Sequence, residues 1–227
     1  MTSLPAGPRT PRALAVLHRR LAPGARVALS VQPGADYDLA ELRDRLEGAG
    51  FGHLRRRAAT LHATREPTLP DFVARRLRLL VCGLNPSPLS AEHGVPFARP
   101  GNRFWPAALA TGLVETDRDP LDALRLGVGF TDLVKRATGG AHELRPDEYA
   151  RGVERLRRLV SVWRPRATCF VGLDGWRRAV DARAVAGWVD GGFAGRPAYL
   201  MPSTSGRNAH ASLDALTRHL RAAAAAR

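Results

Sequence analysis

The feature that most constrains this chain is an alternation of short apolar runs, each stopped by Gly, Pro or Asn, with longer stretches of helical periodicity. Leu77 to Cys82 has the length of a buried strand, and Gly83-Leu84-Asn85-Pro86 turns it sharply. Ala198 to Met201 repeats the arrangement before Pro202-Ser203-Thr204-Ser205-Gly206, a sequence that continues a strand poorly. Ala25 to Val31 and Ala167 to Val171 also read as strands, and Ala13 to Leu21, Asp38 to Glu47, Gly175 to Val180 and Ser212 to Ala225 as helices. The clearest helix is Pro146 to Trp163, with Pro at its start, Val153, Leu156, Val160 and Trp163 on one face, and Arg151, Arg155 and Arg158 off it. Strands alternating with helices predict an α/β fold with a mostly parallel sheet covered on both faces. In such sheets ligands sit beyond the carboxyl ends of the strands, where the loops after residues 82 and 201 would meet.

A chain of 227 residues that is 44% hydrophobic can bury one core with a smaller appendage. Residues 1–11, rich in Pro, Gly, Ser and Thr, are expected to be disordered. Residues 12–70 form an accessory segment, and the main domain covers 71–227. Residues 53–76, across the boundary between the two, read as a basic connector with Arg55-Arg56-Arg57, either an arm for phosphates or a solvated linker. No run approaches the roughly 20 apolar residues of a membrane helix, so the expectation is a monomeric, cytoplasmic or nucleoid-associated protein without a membrane partner. Cys82 and Cys169 sit in apolar runs as buried free thiols, too few to ligate an iron–sulfur cluster. The seven histidines lack metal-binding spacing, and neither a metal nor an organic cofactor is expected. The formal net charge of +14 suits a polyanionic partner such as nucleic acid, although 34 of the 35 basic residues are arginine, as coding bias would also give.

Three segments carry a family resemblance. Gly83 to Trp105, GLNPSPLSAEHGVPFARPGNRFW, resembles the first motif region of the mismatch-specific uracil-DNA and thymine-DNA glycosylases, where GINPG precedes a PF stretch and then NRFW. GVGFTDLVKRAT resembles the middle segment of that family, and MPSTSGRNA its second motif. The agreement spans roughly residues 76–225 and implies a three-layer α/β/α sandwich. Before it, LHRRLAPGARVALSV and LAELRDRLEGAGF resemble the C-terminal part of class I methyltransferases, without the glycine-rich turn that would hold a cofactor.

The resemblance implies a monofunctional, cofactor-free repair enzyme. It would release uracil from double-stranded DNA by base flipping, best opposite guanine, with thymine or hypoxanthine as further candidates. Asn85 would position the attacking water; by its residues alone it could equally start an Asn-Pro turn. Gly83, Leu84, Ser87 and Leu89 would line the base pocket, with the Ser87 and Leu89 N–H groups facing the anionic leaving base. Phe97 would stack on the extruded base, while Phe104 and Trp105 belong to the core. Ser203, Thr204, Ser205 and Gly206 would contact DNA, and Arg207 would fill the vacated stack. Ser87 departs from the family's glycine and Ser205 from its bacterial leucine wedge. These departures keep a non-catalytic protein that binds mismatched or abasic DNA as the alternative.

Overall fold

A computed structural model describes residues 2–4, 10–31, 39–57, 60–208 and 211–226. Its main body is a five-stranded sheet in the order β6-β5-β7-β9-β8. Strands β5 (Leu79–Gly83), β6 (Val128–Asp132), β7 (Thr168–Val171) and β9 (Ala198–Met201) are parallel, and β8 (Gly187–Trp188) closes one edge antiparallel to β9.

Successive strand residues face opposite sides of a sheet, and here each side meets a helical layer. Leu79, Val81, Val128, Phe130, Cys169, Val171, Tyr199 and Met201 pack with Phe104, Trp105, Leu216 and Leu220. Those partners lie on α4 (Phe104–Ala110) and α8 (Leu213–Ala224). Leu80, Cys82, Phe170 and Leu200 pack on the other side with Val153, Leu156, Val160 and Trp176, from α6 (Pro146–Trp163) and α7 (Leu173–Ala179). Two apolar faces on one sheet produce the expected three layers, and Phe104, Trp105 and both cysteines are buried in them. Two six-residue helices, α3 (Pro88–His93) and α5 (Pro120–Arg125), lie in the connections. No helix among the described residues is long and apolar enough to cross a membrane.

Arg155 of α6 lies off the apolar stripe but not in solvent. Arg155 is buried, and its guanidinium donates to Asp71 Oδ2 (2.7 Å), Thr131 Oγ1 (3.0 Å) and the Asp132 carbonyl (2.6 Å). The apolar stripe is flanked by a channel of polar partners that periodicity does not reveal. Gly152 lets the helix approach, since a Cβ there would lie 2.3 Å from the Leu133 carbonyl oxygen.

The segment expected to be accessory is a second sheet. Strands β1 (Thr2–Leu4), β2 (Arg26–Val31), β4 (Thr60–Arg65) and β3 (Phe51–Arg57) lie side by side in that order, with β1 parallel to β2 and the other pairs antiparallel. Helices α1 (Thr10–Arg20) and α2 (Leu39–Gly48) supply Leu14, Leu42 and Leu46 to a core with Leu29, Phe51 and Ala63. The basic connector is therefore strand over much of its length, and Thr2–Leu4 pair with β2 despite a composition that suggests disorder. Ladder bonds use backbone, which composition does not report. Residues 1, 5–9 and 38, which carry the rest of the disorder expectation and the expected start of α2, lie outside the described residues. The two sheets are packed together: Asp71 N–H bonds to the Gly48 carbonyl (2.8 Å), Arg65 to the Ala91 carbonyl (3.0 Å), and Arg158 pairs with Asp44 (2.7 Å).

Candidate active site

The four parallel strands end on the same side, and their exits open into a cleft of about 820 Å³. Gly83, Leu84, Asn85 and Ser87 enter it from β5, Asp132 from β6, Gly172 from β7 and Ser203 from β9. Phe97, Thr204, Ser205 and Arg207 complete the expected set, so residues up to 124 positions apart share one concavity.

Asn85 is held in one orientation. Its Nδ2 donates to Thr138 Oγ1 (2.8 Å) and to the carbonyls of Arg136 (3.2 Å) and Pro86 (3.2 Å). Carbonyls only accept, and the Thr138 hydroxyl already donates to the Gly140 carbonyl (2.9 Å), so every partner requires the amide nitrogen. The amide oxygen receives no protein donor among the described residues and lies in a residue that lines the cleft. A fixed acceptor of this kind can hold a water without removing its proton.

Phe97 has φ +56°, a left-handed conformation that costs a non-glycine residue about 1–2 kcal/mol. Its ring is stacked on Phe104 at 4.4 Å with 23° between the planes, so the ring at the cleft wall rests on a core residue. Gly83 is needed at the end of β5, because a Cβ there would lie 2.4 Å from Asp132 Oδ1.

Ser87 caps α3, accepting from the Ser90 N–H (3.2 Å), with Pro88 as the first helical residue. That cap turns Leu89 into the second helical position, and Leu89 does not line the cleft, unlike Ser87. Of the two residues with amides expected to face a leaving base, Ser87 lines the cleft and Leu89 does not. Thr204 is also moved from its expected role. Its side chain is only 1% exposed, and its carbonyl accepts from the Arg103 N–H (2.9 Å), which ties the loop down and keeps the hydroxyl from an outside phosphate. Arg103 further donates to the carbonyls of Ser205, Asn208 and Ala211. Gly206 allows close approach to the loop at Gly101, whose carbonyl oxygen would lie 2.9 Å from a Cβ. Arg207 is exposed where it lines the cleft, and its guanidinium has no hydrogen bond or ion pair among the described residues.

Among the cleft side chains that escaped the sequence reading are Asp132, Arg99, Arg177 and the Thr138 that holds Asn85. Asp132 is buried, its Oδ2 has no hydrogen-bond partner, and no described donor reaches its Oδ1. Burial pushes its carboxyl up to about 6; Asp71 adds to the rise, while Lys135 and Arg155 oppose it. The signal was available, since Asp132 closes the apolar run Val128 to Thr131 as Asn85 follows the run before it. Arg99 and Arg177 lie on the rim with Arg207, so the mouth carries several cations. Among the described residues, no group of three or more His, Cys, Asp or Glu is gathered as a metal site.

Comparison with known proteins matches the Uracil DNA glycosylase superfamily over residues 70–225. The chain is also similar to a solution NMR structure from Methanosarcina acetivorans, a protein proposed to be a uracil DNA glycosylase. That similarity has 18% identity and a TM-score of 0.46 and covers 68% of this chain and 95% of that one. With more than half its length matched, and with the cleft at the carboxyl ends of its parallel strands, this chain belongs to the uracil DNA glycosylase superfamily.

Proposed function

We propose that this protein is a monofunctional, mismatch-directed glycosylase that hydrolyses the N-glycosidic bond of uracil opposite guanine in duplex DNA and leaves an abasic site. The observation that carries the proposal is the Asn85 amide, locked by three acceptors on its nitrogen and free at its oxygen, inside the cleft.

The extruded base enters the cleft and stacks on Phe97, an interaction worth about 1–3 kcal/mol. Asp132 in its neutral form donates its O–H to a carbonyl oxygen of the base, an acceptor that deepens as the bond breaks. The Ser87 N–H adds a second donor. The C1′–N1 electron pair leaves with the base, and the sugar becomes oxocarbenium-like. Water held by Asn85 Oδ1 bonds to C1′, and its proton passes to solvent or to the departed base anion. Arg207 occupies the gap in the duplex, and Arg99 and Arg177 offer charge to the flanking phosphates. Lys135, the chain's single lysine, is engaged with Asp71 at 2.9 Å, which supports water over an amine as the nucleophile.

The test is base release from labelled duplexes carrying G·U, A·U, G·T or hypoxanthine, with abasic sites revealed by alkali. Release should be fastest from G·U, and Asn85→Ala should lower the single-turnover rate at least about tenfold while keeping duplex affinity. A folded wild-type protein that binds these duplexes and releases no base would instead be a lesion-binding protein on this scaffold.

A further inference from the structure

The smaller sheet carries helices on one side only. Along β2 and β4, Val27, Leu29, Leu61 and Ala63 face the core with α1 and α2. The alternate residues of three neighbouring strands, including Arg26, His62, Arg55 and Arg57, face outward and are exposed. The register sets Arg55 opposite His62 and Arg57 opposite Thr60, and Arg26 opposite Thr64 on the other side of β4. Together with His53 they line a groove of about 600 Å³ with no carboxylate in its lining.

This surface gathers arginines that lack the ion pairing of several others on the protein. The exposed or half-exposed Arg125, Arg136, Arg145, Arg151 and Arg158 each have a carboxylate partner within 3.2 Å. Arg26, Arg55 and Arg57 have no ion pair or side-chain hydrogen bond among the described residues, and Glu66 approaches only His53, at 3.6 Å. Three guanidiniums gathered on one face with no carboxylate in the groove repel one another, so an external anion would relieve this face. Arg55 and Arg57 project from the same side about 7 Å apart, a repeat suited to a regular row of phosphates. The groove lining has no large apolar side chain to enter a bilayer.

Position favours the nucleic acid that the cleft receives. Thr64 lines the groove and Leu69 lines the cleft. Five residues of chain span at most about 18 Å, roughly half of one turn of duplex. Arg65, between them, is bonded to the carbonyl of Ala91 in α3, the helix that Ser87 caps.

We propose that the outer face of the smaller sheet is a second DNA-binding surface, in which Arg26, Arg55 and Arg57 hold the phosphate backbone of duplex flanking the site of base extrusion. The proposal rests on the DNA substrate of the reading above and not on its chemical step, so the two can fail separately. The experiment measures anisotropy of an undamaged labelled 24-base-pair duplex between about 50 and 200 mM salt, where each phosphate contact contributes about 0.9 to the slope of log affinity against log salt. The triple variant R26S/R55S/R57S should lose about 2.7 of that slope if all three arginines are engaged, whereas R26K/R55K/R57K should keep it. The single-turnover rate of base release at saturating protein should be unchanged in both. Independently of any variant, duplex should protect Arg26, Arg55 and Arg57 of the wild-type protein from a dicarbonyl reagent. An unchanged slope in a folded serine variant, or absent protection in the wild type, overturns the proposal. So does a larger arginine-dependent slope on duplex RNA than on DNA, which would make RNA the occupant. Slope loss in a protein that releases no base would sink the glycosylase reading and leave this surface standing.

Discussion

At the scale of single residues, Asp132 sets the clearest expectation. Its carboxyl is raised from an ordinary value of 3.8 to about 6, chiefly by burial, and it faces the cleft without a hydrogen-bond partner. Between those two values the folded protein binds the proton more tightly than the unfolded chain. The stability this one group contributes is therefore fully present below about 4 and is lost as pH rises through 6, by about 3 kcal/mol in all. Asp132→Asn removes that loss, so the variant should be the more stable protein in urea unfolding at pH 8, with the difference vanishing towards pH 4. On the proposed mechanism the same titration would govern base release. The neutral acid donates to the base, whereas the anion opposes a leaving anion, so the single-turnover rate of the wild type should fall as pH rises past about 6. The amide that Asp132→Asn introduces would donate at every pH, and the profile of that variant should be flat there. A wild-type rate that climbs over this range would assign Asp132 to water activation instead.

At the scale of elements, α1 carries a related titration of opposite sign. His18 packs edge-on against Phe51 at 5.7 Å, and its Nε2 lies 3.3 Å from the Glu66 carbonyl. Burial, then the charge of Arg65, lowers its pKa to about 3 against an ordinary 6.5, with Lys135 adding to the shift and the Glu66 hydrogen bond opposing it. The unfolded chain then binds the proton more tightly, so the stability tied to this group is full above 6.5 and drains as pH falls towards 3, by up to about 5 kcal/mol. His18→Gln keeps a neutral donor, and thermal unfolding should show a smaller loss between pH 7.5 and 4.5 than in the wild type. Legibility in sequence also varied by element. The helix Pro146–Trp163 was readable to its ends, because five turns of periodic apolar residues follow a proline. Helices α3 and α5 have six residues each, too few for a period, and only Ser87 and Asp119 before prolines marked their starts. Strands β3 and β4 were hidden because one face is exposed and basic, which blurs the apolar alternation. Within the cleft, Asn85, Ser87, Phe97 and Arg207 stood in or beside turn-forming motifs. Asp132 ends a buried strand, where its role depends on what surrounds it.

At the scale of the whole molecule, Asp71 is the crossing point of both sheets. Its N–H bonds to Gly48 at the end of α2, and its carboxylate takes hydrogen bonds from Thr131 (2.7 Å), Lys135 (2.9 Å) and Arg155 (2.7 Å). Burial alone would raise its pKa, but the charges of Arg155 and Lys135 and the hydrogen bonds from Lys135 and Thr131 hold it below the ordinary value. Gly48 admits this carboxylate, since a Cβ there would lie 2.4 Å from Asp71 Oδ2. A chain segment this entangled couples the two sheets, so probes on either should report one unfolding transition. Asp71→Ala leaves the Arg155 guanidinium buried without its anion and should cost about 3–5 kcal/mol, read as a lower urea midpoint. Removing the cations as well, in Asp71→Leu with Arg155→Met and Lys135→Met, abolishes that unpaired burial, and the combined variant should lie closer to the wild type than Asp71→Ala does. If the combined variant is worse, the arginine's remaining bonds to Thr131 and the Asp132 carbonyl outweigh the ion pairs, and Arg155 holds the sheet to α6 mainly through them. In either case the cleft lies one residue from this network, because the carbonyl that Arg155 grips belongs to Asp132. Loosening the joint between the sheets should therefore slow base release along with lowering stability.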